Sequence, residues 1–168
     1  MVERIFESLQ PEVRTAMRVV DLYCGAGTFA LFFAKRGCEV LGIEENARAV
    51  AEARANAALN ALESRVRFVA GRAADTLAVS EGRAALEAAD AVFLDPPRKG
   101  SDEATLAAVA AARVPAVWYL SCDPATLARD LKALTAKGYA LDSVQPFDLF
   151  PQTGHVEALA SLAFTPSD

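Results

Sequence analysis

Short apolar runs alternate with helical stretches along almost the whole chain, and this alternation restricts the fold more than any single motif. Five strands read as Met17 to Tyr23, Glu39 to Ile43, Val66 to Val69, Ala91 to Leu94 and Val114 to Leu120. Each leads into a helical stretch. These run from Thr28 to Lys35, from about Asn46 to Leu59, across residues 72–89 with Gly82 as a break, from Asp102 to Ala112, and from Pro124 to Lys137. Gly37 and Gly138 are natural helix stops. Two further strands, Tyr139 to Val144 and His155 to Phe164, flank a loop from Phe147 to Gly154. Ahead of them all, Ile5, Phe6, Leu9 and Val13 predict a short helix on the sheet edge, interrupted near Pro11. Five β-to-α units followed by two adjacent strands predict an α/β fold. Its sheet has about seven strands, parallel with right-handed crossovers, and its last strand is antiparallel in a hairpin at one edge.

The totals narrow the class. With 168 residues, of which 53% are hydrophobic, the chain reads as one domain over 1–168 with a full core. No apolar run approaches the ~20 residues a membrane span needs. Met1-Val2-Glu3-Arg4 is not followed by the apolar stretch of a signal peptide. The three cysteines, Cys24, Cys38 and Cys122, form no Cys-x-x-Cys pair. That predicts no structural zinc, no iron–sulfur cluster and no disulfide framework, and it predicts a cytoplasmic location. The net charge of −5 is unlike a domain that grips nucleic acid by itself, so any such grip is local or lies elsewhere.

Gly25-Ala26-Gly27-Thr28-Phe29-Ala30 follows the first strand and opens the first crossover helix. Glycines there let the backbone turn tightly and approach a ligand closely. Glu44 ends the second strand, where a carboxylate can accept both ribose hydroxyls of an adenosine. Both features suit an NAD-dependent oxidoreductase and an S-adenosylmethionine-dependent methyltransferase. Asp21 leans toward the second, because it can hold an amino-acid ammonium while a pyrophosphate gains nothing from it.

The other chemistry gathers at later strand ends. Ser121-Cys122-Asp123-Pro124 puts a thiol at the carboxyl end of a strand, with Asp123 as N-cap and Pro124 as first helical residue. A helix N-terminus favours a thiolate, a neighbouring carboxylate opposes it, and a free cysteine can also be a small buried hydrophobe. Asp95-Pro96-Pro97 holds a carboxylate rigidly over the same edge, followed by the cationic Arg98 and Lys99. Glu157 alternates with His155, the only histidine, so both share a face of the last strand. Glu157 is the better candidate base.

Taken together, several stretches resemble the catalytic domain of the RNA uracil-5 methyltransferases that modify tRNA and 23S rRNA. They are Asp21 to Phe29, Gly42-Ile43-Glu44, Asp95 to Gly100, Tyr119 to Asp130 and Phe150 to Glu157. The closing His-x-Glu stretch looks closer to the 23S rRNA branch. The resemblance implies a Rossmann-like class I methyltransferase sheet, S-adenosyl-L-methionine as cofactor with S-adenosyl-L-homocysteine as product, and an RNA substrate. Cys122 would attack uracil C6 and Glu157 would remove the C5 proton. Tyr23, Gly25 and Thr28 would line the cofactor site, with Glu44 at the ribose, Asp75 near the adenine and Asp95 at the cofactor or the base. The family usually has asparagine where Asp123 stands. Its upstream RNA-binding and central domains are expected to be absent here. Competing readings are a methyltransferase with another target, the oxidoreductase, and a non-catalytic binding module.

Overall fold

The computed structural model describes residues 2–148 and 156–165. The elements are α1 (Val2–Leu9), β1 (Arg18–Leu22), α2 (Thr28–Lys35), β2 (Glu39–Glu44), α3 (Ala47–Leu59), β3 (Val66–Ala70) and α4 (Ala73–Ala78). They continue with α5 (Ser80–Glu87), β4 (Ala91–Leu94), α6 (Glu103–Ala112), β5 (Ala116–Ser121), α7 (Pro124–Thr135), β6 (Tyr139–Phe147) and β7 (Glu157–Phe164). The strands form one sheet in the order β3-β2-β1-β4-β5-β7-β6. Strands β1 to β5 are parallel, and β7 runs antiparallel to both β5 and β6.

Helices cover both faces of the sheet, which is why its central strands are near-continuous apolar runs. One core lies under α1, α2 and α3 and contains Ile5, Leu9, Phe33, Val50, Phe93 and Trp118. The other lies under α4 to α7 and contains Leu77, Leu86, Leu106, Val109, Leu131 and Tyr119. Rather than lying on the sheet edge, α1 packs on α2, stacking Phe6 on Phe32 at 4.2 Å and setting it edge-on to Phe29. The phenylalanine-rich α2 offers more apolar surface than a strand edge, and α1 follows it.

Asp123 caps α7 as expected, and Asn46 and Asp102 cap two further helices. Asn46 accepts from the amides of Arg48 and Ala49, Asp102 from Thr105, and Asp123 from Ala125 and Thr126. The break in residues 72–89 differs: it lies at Val79, and Gly82 sits buried inside α5. A Cβ on Gly82 would collide with the Thr76 carbonyl of α4. This glycine therefore serves close packing and not the turn. Gly82→Ala should lower stability by about 3 kcal/mol through overpacking. Urea unfolding measures this, and an unchanged midpoint would contradict the close approach.

Two boundaries also shift. β6 runs on to Phe147, with an irregularity between Leu141 and Ser143. β7 begins at Glu157, and His155 lies outside the described residues. The hairpin at the sheet edge forms as expected, but its second strand is the inner one, inserted between β5 and β6.

Candidate active site

Strand order reverses between β1 and β4, and in open α/β sheets ligands bind beyond the carboxyl ends at such a point. The loop leaving β1 is shaped by three left-handed residues: Tyr23 at φ 64°, Gly25 at 52° and Gly27 at 88°. Gly27 N–H donates to the Cys24 carbonyl at 2.9 Å and closes the turn. A Cβ on Gly25 would meet nothing within 4 Å, so this backbone faces open space. Glu44 braces the loop. Its Oε2 accepts from Gly25 N–H at 3.1 Å and its Oε1 from Asn46 N–H at 2.8 Å. A charged acceptor with both oxygens so held is fixed in orientation, with lone pairs left for ribose hydroxyls. Gly42 lies beside Asp21 in the sheet; a Cβ there would come within 2.5 Å of Phe68 and 2.9 Å of the Cys24 sulfur.

Asp21 is fully buried, and neither carboxylate oxygen has a hydrogen-bond partner among the described residues. The Ala30 amide in the first turn of α2 faces it without reaching hydrogen-bond geometry. Burial pushes its carboxyl well up, and the charges of Asp95 and Glu44 add to the shift. A buried, unpartnered acid beside an open loop fits a ligand that brings a cationic nitrogen. A chain that merely needed a core would place an apolar residue there.

The remaining site residues come from three other strand ends. Asp95 follows β4, and its amide donates to the Leu22 carbonyl of β1 at 3.3 Å. Cys122 follows β5 and is partly exposed, whereas Cys24 and Cys38 are buried. Burial beside Asp21 and Glu44 pushes the Cys24 thiol up, so it is a poor nucleophile. Glu157 opens β7. Because β7 runs antiparallel, its first residue lies at the edge where the parallel strands end. Ala158 pairs with Ser121, so Glu157 and Cys122 are next in register across the same pair of strands. Glu157 also reaches toward Asp95, whose carboxyl is pushed up to about 7, mainly by burial and further by the Glu157 charge.

Asp123 serves as the N-cap of α7. Its Oδ1 accepts from Thr126 N–H at 2.9 Å and Ala125 N–H at 3.0 Å, and these bonds hold its carboxyl below the usual range. An asparagine would cap α7 through the same oxygen.

A model of the tRNA (Uracil-5-)-methyltransferase family matches residues 1–163 of the chain. The chain belongs to this family. It is 49% identical over 144 residues to an uncharacterized RNA methyltransferase of Gloeobacter violaceus, a match covering 86% of this chain and 30% of that protein. Against the 23S rRNA (uracil(1939)-C(5))-methyltransferase RlmD of an Azoarcus species, identity is 43% over 162 residues, covering 95% of this chain and 36% of that one. The crystal structure of Pyrococcus abyssi tRNA (uracil-54, C5)-methyltransferase in complex with S-adenosyl-L-homocysteine superposes with a TM-score of 0.81. That match has 30% identity and covers 95% of this chain and 37% of that one. The chain thus spans about a third of the length of these relatives.

For this uracil-5-methyltransferase family member, the expected site residues divide into two groups. Asp21, Tyr23, Gly25, Glu44, Asp95, Cys122 and Glu157 gather at the carboxyl edge. Thr28 and Asp75 are exposed on the first turns of α2 and α4. Asp75 is 3.9 Å from Arg72, and it is Arg72 that lines a small cavity of about 90 Å³ beside Tyr23, Ile43, Gly71 and Pro97. Arg72, Gly71 and Glu45 carry no sequence signal, because nothing in the local pattern marks the residues after β2 and β3 as cavity walls. Among the described residues no helix is long and apolar enough to cross a membrane.

Proposed function

We propose that this chain is the catalytic domain of an RNA (uracil-C5) methyltransferase that uses S-adenosyl-L-methionine and acts on 23S rRNA. The observation that carries this reading is the β5–β7 register, whose last pair is Ser121 and Ala158, with Cys122 and Glu157 the next residue on each strand at the edge that also presents Asp95 and the Gly25 loop. An amine methyltransferase needs neither a thiol nor a second base there. Likeness to RlmD supports the choice of RNA.

Uracil C5 is a poor nucleophile. Addition of the Cys122 sulfur to C6 makes the ring enolate-like and raises electron density at C5. S-adenosyl-L-methionine supplies the methyl group for C5 and is left as S-adenosyl-L-homocysteine. Glu157 then takes the proton from C5, the C6–S bond breaks, and Cys122 returns as a thiolate. Asp21 would hold the ammonium of the cofactor, Glu44 its ribose hydroxyls, and the Gly25 and Tyr23 backbone its amino-acid part. Residues from Gly71 to Asp75 would border the adenine, and Thr28 would stand at the rim. Asp95, half-protonated near neutral pH, suits a hydrogen bond to the flipped base. The exposed Arg98 and Lys99 would meet phosphates beside it.

RNA containing 5-fluorouridine tests the reading, because fluorine at C5 cannot leave as a proton. With S-adenosyl-L-methionine, the protein should form a covalent complex seen by intact mass, faster on 23S rRNA fragments than on tRNA. Cys122→Ala should form none, while Cys24→Ala should form it normally. An adduct in Cys122→Ala would refute the nucleophile, and binding of NAD alone would replace the methyltransferase with an oxidoreductase.

A further inference from the structure

Two aspartates in the described residues are buried almost completely, Asp21 at 0% and Asp130 at 1% exposure. They are opposites. Asp21 has no hydrogen-bond partner, whereas Asp130, on α7, is saturated. It accepts from the Tyr119 hydroxyl at 2.5 Å, from Ser101 N–H at 2.8 Å and from Arg129 Nε at 2.8 Å. Arg129 carries the connection onward, donating from Nη2 to the Lys99 carbonyl at 2.9 Å. One turn earlier, Thr126 Oγ1 donates to the Arg98 carbonyl at 3.1 Å. The Tyr119 hydroxyl also accepts from Ser101 N–H at 3.1 Å. Ser101 Oγ in turn shares a hydrogen bond with the Tyr23 hydroxyl at 2.9 Å.

Every partner belongs to a segment that carries a site residue. Tyr119 lies on β5, which ends just before Cys122, and α7 starts at Pro124 after its cap Asp123. Residues 98–101 continue the loop that begins at Asp95. Tyr23 opens the cofactor loop. Gly100, at φ 79°, has no room for a side chain, because a Cβ would collide with Arg129 Nη2 and Asp130 Oδ2. The loop backbone is thus pressed onto the ion pair itself.

Burying a carboxylate is costly unless it is paired and its lone pairs are filled, so an ion pair is a poor way to gain stability alone. What a saturated polar network adds is direction, since each bond fixes an angle that apolar packing leaves free. Resting on the methyltransferase reading above, we propose that Arg129 and Asp130 are positioning residues for this site. They lock the 95–101 loop to α7, whose start follows Cys122, and, through Ser101, to Tyr23 of the cofactor loop. Neither residue touches the reacting atoms. Occupation of the cofactor loop should therefore tighten the loop that carries Asp95, on the far side of Tyr23.

Hydrogen exchange across residues 98–102, with and without S-adenosyl-L-homocysteine, tests this in the wild type and in Arg129→Lys. The lysine keeps a cation beside Asp130 but cannot reach Asp130 and the Lys99 carbonyl together. Wild type should show slow exchange that slows further with ligand. Arg129→Lys should keep its melting temperature within a few degrees, exchange faster at 98–102 and lose the ligand-dependent protection. Its rate of adduct formation on 5-fluorouridine RNA should fall roughly 10- to 100-fold, with little change in KM for RNA. Tyr119→Phe, which removes one bond to Asp130 and leaves the pair, should show a smaller effect of the same kind. Unchanged exchange at 98–102 in Arg129→Lys would overturn the lock. Faster exchange with an unchanged adduct rate and KM would reduce the pair to a structural role. If wild type forms no adduct, the methyltransferase reading fails, and the exchange experiment still decides whether the lock exists.

Discussion

Glu157→Gln is expected to form the covalent bond to ordinary uridine RNA and then fail to release it. Glutamine fills the same space but cannot accept the C5 proton. Methyl transfer would proceed, and the methylated adduct would wait on a base that is gone. Loss of a general base costs roughly 10²- to 10⁴-fold, so turnover should fall by that factor while adduct accumulates in intact-mass spectra. Cys122→Ala should lose turnover at least as severely and show no adduct at all. The pair of variants separates the roles, because one stalls after bond formation and the other before it. Asp95 is the rival base, being partly protonated near neutrality and close enough to feel the Glu157 charge. If Asp95→Asn accumulates adduct and Glu157→Gln turns over normally, the assignments of the two carboxylates must be exchanged.

Acid crowding at the site should also make the ligand-free protein less stable as pH rises. The Asp95 carboxyl titrates near 7 in the fold, against ~3.9 in an unfolded chain. Below about pH 4 both states hold the proton and no stability is lost. Between about 4 and 7 the native state keeps the proton that the unfolded chain has released, so stability falls as pH rises through this window. Above 7 the full cost is present, about 4 kcal/mol at most from Asp95. Burial is the larger cause and the Glu157 charge the smaller. Asp21, raised by burial and by Asp95 and Glu44, acts in the same direction. Denaturant unfolding at pH 5 and pH 8 should show this loss, and Asp95→Asn should remove a large part of it. A cationic ligand among these acids favours their ionised forms. The stabilisation given by S-adenosyl-L-methionine should therefore grow from pH 6 to pH 8. A wild-type protein equally stable at both ends of the range, with an Asp95→Asn variant that matches it, would contradict the crowding.

Much of this molecule is local in origin. The helix starts at Asn46, Asp102 and Asp123 were readable because a cap is one side chain bonding to amides two or three residues on. The loop after β1 was readable because left-handed backbone calls for glycine at Gly25 and Gly27, although Tyr23 adopts the same region without one. The Cys122 placement followed from a strand that ends at Ser121 and a helix that begins at Pro124 behind the cap Asp123.

What escaped the sequence was long-range. Nothing in the pattern of β6 and β7 says which of the two lies next to β5. Yet only the inner place for β7 pairs Ala158 with Ser121 and so brings Glu157 next to the end of the strand that leads into Cys122, since a strand at the outer edge would leave it a full strand away. Gly82 looked like a punctuation mark and proved to be a contact between two helices, because a collision with Thr76 exists only once α4 and α5 are packed. Asp21 stands among apolar residues and Asp130 follows Arg129 in the sequence, but only folding buries both and gives Asp130 the Tyr119 hydroxyl and the Ser101 amide while Asp21 gains no partner among the described residues. Periodicity and caps over a few positions set the elements and the layered α/β class, and residue chemistry singled out the candidate reactive groups. Which of those groups meet depends on strand order and on the burial of charge, and both arise from contacts between residues far apart in the chain.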